Sequence, residues 1–116
     1  MVARRRRYAH GVPHCQANDV SLYYELVGAG ERLLFISGTG ADLRRSPRLT
    51  DGPHFTEFEL LQYDQRGLGR SGVPPGPYAM ADYGNDAAAL LDAVGWEDAA
   101  VLGVSFGGMV AQELAI

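Results

Sequence analysis

Two short runs of apolar residues, each followed at once by glycine-rich sequence, constrain the fold of this chain most strongly. The run 33–36 (Leu-Leu-Phe-Ile) leads into Ser37-Gly38-Thr39-Gly40, and the run 99–102 (Ala-Ala-Val-Leu) leads into Gly103. An apolar run of this length without polar alternation is typical of a strand that is buried on both faces. The first run therefore predicts a strand that is buried on both faces, and the second predicts a further apolar strand of the same sheet.

Further strands and helices alternate with these two runs. Residues 20–27 and 58–63 are rich in β-formers and predict two more strands, whereas residues 41–57 are broken by proline and glycine and allow at most a short helix. One apolar set recurs at helical spacing and ends before Gly95, a residue typical of a helix C-terminus. Its members are Met80, Tyr83, Ala87, Leu90, Leu91 and Val94. Helical spacing resumes from Phe106, so the order of elements predicts an α/β fold with a parallel, doubly wound sheet.

Ligands of such sheets bind at the carboxyl ends of the strands. Three of the predicted strands end in unusual loops, which are Ser37–Gly40, Asp64–Gly67 and Gly103–Gly107. We expect all three loops to lie at one edge of the sheet, which makes that edge the candidate functional site.

Length and charge set the broad class of the protein. The 116 residues are enough for one domain, assigned to residues 12–116, and residues 1–11 with their arginine run 4–7 predict a flexible tail. The net charge of −4 and the lack of a long apolar segment give no reason to expect a nucleic-acid or membrane partner.

Cysteine and histidine usage points away from disulfides and metals. Cys15 is the only cysteine, so no intramolecular disulfide can form and a cytoplasmic location is expected. His10, His14, His54 and Cys15 show no spacing typical of metal ligands, so neither a metal nor a cofactor is expected.

The segment Gly103-Val104-Ser105-Phe106-Gly107 has the pattern G-x-S-x-G between a predicted strand and a predicted helix. A serine on so sharp a turn brings the positions two before and two after it close together, which Gly103 and Gly107 allow. The helix that follows directs its free N–H groups at any negative charge beside Ser105, and the Phe106 N–H can receive an oxyanion. Taken alone, the pentapeptide also fits an ordinary helix N-cap; the strand before it and the helix after it favour a nucleophile.

In their order along residues 20–116, these segments resemble the N-terminal part of the α/β-hydrolases. The matching segments are 33–40, 63–71, 90–95 and 101–108. The resemblance implies a mostly parallel sheet with an antiparallel N-terminal strand. It also implies that Ser105 is the catalytic nucleophile, and that the backbone N–H groups of Thr39 and Phe106 form the oxyanion hole. Ser37 stands where the family usually has histidine, a departure that affects the geometry of the loop.

The charged residues near these motifs are assigned structural roles. Asp64, Arg66 and Arg70 belong to a segment, D-x-R-G-x-G-x-S, that forms a tight turn after a strand in similar proteins. Asp86 and Asp92 lie on or beside the polar face of the predicted helix, and we expect both to be solvated.

A serine at this position implies acyl transfer to its hydroxyl, whereas an aspartate would have suggested a haloalkane dehalogenase or an epoxide hydrolase. Four activities stay open: carboxylesterase, lactonase, C–C hydrolase and cofactor-free perhydrolase. The implied partner is a small ester-like substrate of the full-length protein.

The family order is serine, then acid, then histidine, yet the residues after Ser105 include Glu113 and no histidine. The resemblance therefore implies a serine hydrolase truncated before its acid and base, and inactive as this chain alone. The alternative is a non-catalytic remnant or interaction module that keeps the first half of the fold. In either case, the strand before Gly103 is expected to form an exposed edge through which copies could associate.

Overall fold

The computed structural model describes residues 13–115, and within them it shows a five-stranded mixed sheet and two α-helices. The strands are β1 (His14–Ala17), β2 (Val20–Gly28), β3 (Glu31–Ile36), β4 (Phe58–Tyr63) and β5 (Ala100–Gly103), and the helices are α1 (Met80–Val94) and α2 (Phe106–Ala115). Two 3-10 helices, Leu49–Asp51 and Pro53–Glu57, precede β4. The predicted tail, residues 1–11, lies outside the described residues.

The strand order is β1-β2-β4-β3-β5, with β3 parallel to both β4 and β5. Strand β2 is antiparallel to β4 and to β1, which confirms the expected antiparallel strand near the N-terminus. Strand β1, a four-residue strand whose His14 pairs with Tyr23, was not predicted from the sequence. Its sequence, His-Cys-Gln-Ala, alternates polar and apolar residues, but over only four residues and without a strong β-former, so its pairing with β2 is what reveals it.

Strand β3 is buried on both faces, as its uninterrupted apolar run predicts. Leu34 and Ile36 belong to the main core, to which both α-helices contribute, whereas Leu33 and Phe35 belong to a smaller cluster. This smaller cluster also includes Phe55 of the second 3-10 helix. Alternate residues of β3 therefore contact separate cores on opposite sides of the sheet.

Helix α1 has the bounds that its apolar spacing predicts. The Ala79 N–H donates to Asp82 Oδ2 at 2.7 Å where the helix begins. The helix ends at Gly95, which has a left-handed φ of 77°, and the Trp96 N–H then donates to the Leu91 carbonyl. Neither of the two described α-helices is long and apolar enough to cross a membrane.

Strand β5 forms one edge of the sheet, and among the described residues only β3 pairs with it. Its Val101 and Leu102 are 39% and 41% exposed. The apolar edge expected from the sequence is thus present in this part of the chain. Association of copies through that edge stays a prediction.

Candidate active site

Ser105 lies in the sharp turn between the end of β5 and the start of α2. Its backbone is left-handed, with a φ of 57°, and the residue is exposed. A residue with a Cβ adopts this conformation at a cost, and keeps it only where the surrounding structure enforces it. The turn therefore holds an exposed hydroxyl at the carboxyl edge of the sheet, where a strained residue points to function.

A glycine on each side of Ser105 allows the backbone of this turn to approach its neighbours closely. A Cβ added at Gly103 would lie 2.2 Å from the Gly107 carbonyl oxygen, and one added at Gly107 would lie 2.1 Å from the Ile36 carbonyl oxygen. Both distances are far too short for any side chain. Positions 103 and 107 are therefore restricted to glycine by the close approach of the turn to itself and to the end of β3.

The segment Ser37–Gly40, which follows β3, lies directly against the Ser105 turn. A Cβ added at Gly38 would lie 3.5 Å from the Ser105 Cβ and 3.3 Å from the Val104 carbonyl oxygen. The Val104 N–H donates to the Ile36 carbonyl at 3.1 Å. The segments after β3 and β5 therefore meet at one edge of the sheet.

Two N–H groups on the segments that meet at Ser105, those of Thr39 and Phe106, have no acceptor among residues 13–115. The Gly38 carbonyl accepts from the Ala41 N–H at 3.3 Å, which orients the Gly38–Thr39 peptide and leaves its N–H free. Phe106 is the first residue of α2, and the first N–H groups of a helix have no partner within it. The edge thus combines a hydroxyl, two free donors and the positive end of a helix dipole.

The turn after β4 binds the chain shortly after the Ser37–Gly40 segment, at Leu43. Asp64 is 1% exposed; its Oδ1 accepts from the Leu43 N–H at 2.8 Å and its Oδ2 from the Arg70 N–H at 2.9 Å. A Cβ added at Gly69 would lie 2.2 Å from Asp64 Oδ2. Both carboxylate oxygens of Asp64 therefore accept hydrogen bonds from backbone N–H groups, in line with the structural role assigned from the sequence.

Arg66 and Asp86 form a buried ion pair beneath the same turn. The Arg66 Nε donates to Asp86 Oδ2 at 2.7 Å and its Nη2 to Asp86 Oδ1 at 2.8 Å. These hydrogen bonds raise the pKa of Arg66. The expectation that Asp86 is solvated is wrong, because its face of α1 turns toward the Arg66 guanidinium; Asp92 is exposed, as expected.

Gln65, which the sequence analysis did not single out, contacts the candidate site directly. Its Nε2 donates to the Ser37 carbonyl at 2.9 Å, and the residue is 2% exposed. Its Oε1 is buried and has no hydrogen-bond partner in the described part of the chain. The sole sequence signal was its place inside the turn between Asp64 and Arg66.

The described titratable groups supply no base beside Ser105. His14 lies on β1, at the sheet edge opposite β5, about 19 Å away for strands spaced about 4.8 Å apart. His54 lies in the 3-10 helix before β4, at the other end of that strand from its carboxyl edge. Glu113 packs against α1, with its Cγ 2.7 Å from a Cβ added at Gly84. No group of three or more His, Cys, Asp or Glu within residues 13–115 could hold a metal ion.

The family model described as alpha/beta hydrolase fold matches residues 31–116, so this chain belongs to the α/β-hydrolase family. It is 36% identical over 108 residues to the carbamate hydrolase RutD, as that protein is named, of Azorhizobium caulinodans, covering 90% of this chain and 39% of that protein. It is 36% identical over 103 residues to 3-oxoadipate enol-lactonase 2 of Acinetobacter baylyi, covering 86% of this chain and 38% of that protein.

A solved structure of a hydrolase is also similar to this chain. The crystal structure of a hydrolase from Pseudomonas aeruginosa PA01 superposes with a TM-score of 0.81 and 40% sequence identity. The match covers 92% of this chain and 41% of that one. The chain thus spans less than half the length of the relatives it matches.

Proposed function

We propose that this chain carries the nucleophile and the oxyanion donors of a serine hydrolase that cleaves carboxylic esters or lactones. One observation carries the proposal: exposed Ser105 in a left-handed conformation at the start of α2, with the free N–H groups of Thr39 and Phe106 on the segments that meet there. Backbone strain at an exposed hydroxyl, beside unpaired donors, is the arrangement that acyl transfer to serine requires.

In the acylation step, a general base takes the Ser105 hydroxyl proton while Oγ adds to the carbonyl carbon of the substrate. The carbonyl oxygen becomes an oxyanion, which the Thr39 and Phe106 N–H groups and the α2 dipole stabilise. The tetrahedral intermediate then expels the alkoxide, which leaves as an alcohol with the proton from the base. The acyl group remains as an ester of Ser105.

Deacylation follows the same steps with water as the nucleophile. The base takes one proton from water, the hydroxide adds to the acyl carbon, and the same two N–H groups stabilise the oxyanion. Ser105 leaves with the proton returned by the base, and a carboxylic acid is released. A lactone substrate yields a single hydroxy acid, since its alcohol stays attached to its acyl group.

Both steps require a base, because a serine hydroxyl is a weak nucleophile at neutral pH without one. Neither His14 nor His54 lies beside Ser105. We infer that the histidine and its carboxylate partner come from outside residues 13–115, in agreement with the family order of serine, acid and histidine. The 116-residue chain alone is then inactive on esters.

The names of the relatives support a carbonyl substrate with a heteroatom leaving group. One relative is named for a carbamate and another for an enol-lactone. Both compounds carry a carbonyl carbon that a serine hydroxyl can attack. We therefore take an activated ester as the first probe of activity.

The test uses the complete gene product with p-nitrophenyl acetate, compared with the Ser105→Ala variant. We expect the variant to lose at least about a thousandfold in kcat, while Ser46→Ala, a change at an exposed serine, keeps wild-type activity. A folded wild-type protein without hydrolysis would instead favour the alternative of a non-catalytic interaction module.

A further inference from the structure

We propose that Gln65 is a positioning residue that holds the Ser37–Gly40 segment, and with it the Thr39 N–H, in place for oxyanion stabilisation at Ser105. The inference rests on the proposed function. It assigns to the turn after β4 a role in the reaction besides its role in the fold.

The geometry that carries the inference is one hydrogen bond between two neighbouring strand ends. Strand β4 ends at Tyr63 and β3 at Ile36, and the two strands are parallel neighbours, so the residues that follow them share one edge. Gln65 reaches across this edge, and its Nε2 donates to the Ser37 carbonyl at 2.9 Å.

This hydrogen bond controls the direction of the Thr39 N–H through two peptide planes. The Ser37 carbonyl shares a rigid plane with the Gly38 N–H, and the Gly38 carbonyl shares the next plane with the Thr39 N–H. Gln65 fixes the first plane, and the Ala41 N–H, which donates to the Gly38 carbonyl, fixes the second. Only Gly38, the most permissive residue type, joins the two planes. Release of the Ser37 carbonyl would therefore allow the Thr39 N–H to swing away from Ser105.

The same carbonyl lies against the first turn of α2. A Cβ added at Gly107 would lie 2.6 Å from the Ser37 carbonyl oxygen. Ser37 is thus held between the Gln65 amide on one side and the helix that carries the Phe106 N–H on the other. Its position sets the spacing between the segments that carry the two donors.

Stability alone gives little reason for an amide at position 65. The residue is 2% exposed, and its Oε1 is buried without a partner among the described residues. An unpaired buried polar atom costs at least as much as one ordinary hydrogen bond contributes. Methionine, which is unbranched and of similar length, would fill this space without that cost.

The first experiment measures kcat, KM and the thermal midpoint of Gln65→Met in the complete gene product with p-nitrophenyl acetate. We expect kcat to fall about ten- to a hundredfold, less than the roughly hundred- to thousandfold that removal of an oxyanion donor costs, with KM and the midpoint close to wild type. The matched control is Gln62→Met, which replaces another buried amide, one that pairs with Thr50 Oγ1 rather than with Ser37. The control should keep the wild-type kcat.

The second variant, Gln65→Glu, adds a pH readout that a merely structural role would not move. A protonated carboxyl can donate to the Ser37 carbonyl, whereas an ionised one repels it, and burial raises the pKa of a glutamate above its usual value of about 4.3. The ratio of variant kcat to wild-type kcat should therefore be highest at low pH and fall as the pH rises through that pKa. Circular dichroism at each pH checks that the fold persists. This variant therefore tests the role of Gln65 even if Gln65→Met does not fold.

A wild-type kcat in Gln65→Met, or a ratio for Gln65→Glu that does not change with pH, would overturn the inference. Comparison with Ser105→Ala distinguishes a failure of this inference from a failure of the proposed function. If Ser105→Ala is inactive and Gln65→Met is fully active, only the role of Gln65 is wrong. If Ser105→Ala stays active, the proposed function itself fails.

Discussion

The guanidinium of Arg66 and the carboxylate of Asp86 form a doubly hydrogen-bonded ion pair that joins the turn after β4 to the middle of α1. Both side chains are almost fully buried, at 4% and 2% exposure. A third contact, from Arg66 Nη2 to Asp19 Oδ1 at 2.8 Å, extends the connection to the turn between β1 and β2. One side chain thus connects three parts of the chain that are distant in sequence.

Removal of one partner of this pair should destabilise the protein strongly, because it leaves a buried charge without its counter-ion. We expect Asp86→Asn to lower the free energy of unfolding by about 3 kcal/mol or more, measured by urea denaturation. The control is Asp92→Asn, at an exposed position of the same helix. Equal losses in the two variants would contradict a buried role for Asp86.

The close approaches at the Ser105 turn predict opposite effects for two adjacent glycines. A Cβ at Gly107 would lie 2.1 Å from the Ile36 carbonyl oxygen, whereas a Cβ at Gly108 would lie 3.6 Å from the Gly103 carbonyl oxygen. Gly107→Ala should therefore cost more than about 2 kcal/mol of unfolding free energy through overpacking. Gly108→Ala should be neutral or stabilise the helix by up to about 1 kcal/mol. Similar thermal midpoints for the two variants would refute this account of the turn.

The exposed edge of β5 should make the 116-residue chain associate with itself. An unpaired apolar strand is a template for pairing with another chain, and a lysine in it opposes that pairing. We expect Val101→Lys to reduce the oligomer fraction in analytical ultracentrifugation and the fluorescence of a bound hydrophobic dye. Val73→Lys is the matched control, since Val73 is 76% exposed but lies in the loop between β4 and α1 rather than on a strand edge. A monomeric wild-type chain that binds no dye would contradict the prediction.

Cys15 should react slowly with alkylating reagents in the folded protein. Burial, with a smaller contribution from Asp86, raises the pKa of the thiol, and only the thiolate is the nucleophile. At pH 8 the folded chain should therefore react with iodoacetamide more slowly than the urea-unfolded chain. The difference should shrink as the pH rises toward the higher pKa. Equal rates at pH 8 would show that the thiol is neither buried nor perturbed.

Local sequence patterns predicted most of the elements that carry the candidate site. The apolar run 33–36, the six-residue strand 58–63 and the helix that ends at Gly95 each have a signal within a few residues of themselves. The turn at Ser105 was predicted from its own pentapeptide. Such features depend on backbone conformation and periodicity, which neighbouring residues largely decide.

Features that depend on a partner distant in sequence were not predicted from the sequence. Asp86 was expected to be solvated, because nothing in α1 indicates that a guanidinium 20 residues away would meet it. The partner of Gln65 is a backbone carbonyl 28 residues away, which no side-chain pattern reports. Strand β1 likewise depends on the hairpin that it forms with β2. Side-chain contacts between separate loops have to be read from the structure.

The central claim, that Ser105 is the nucleophile, is tested most directly by covalent labelling. The complete gene product is treated with diisopropyl fluorophosphate, whose phosphorus accepts the serine Oγ while fluoride leaves, and the labelled peptides are sequenced by mass spectrometry. We predict a single adduct on Ser105 that appears together with loss of esterase activity and is absent from Ser105→Ala. An adduct on another residue, or full inhibition with Ser105 unmodified, would contradict the assignment.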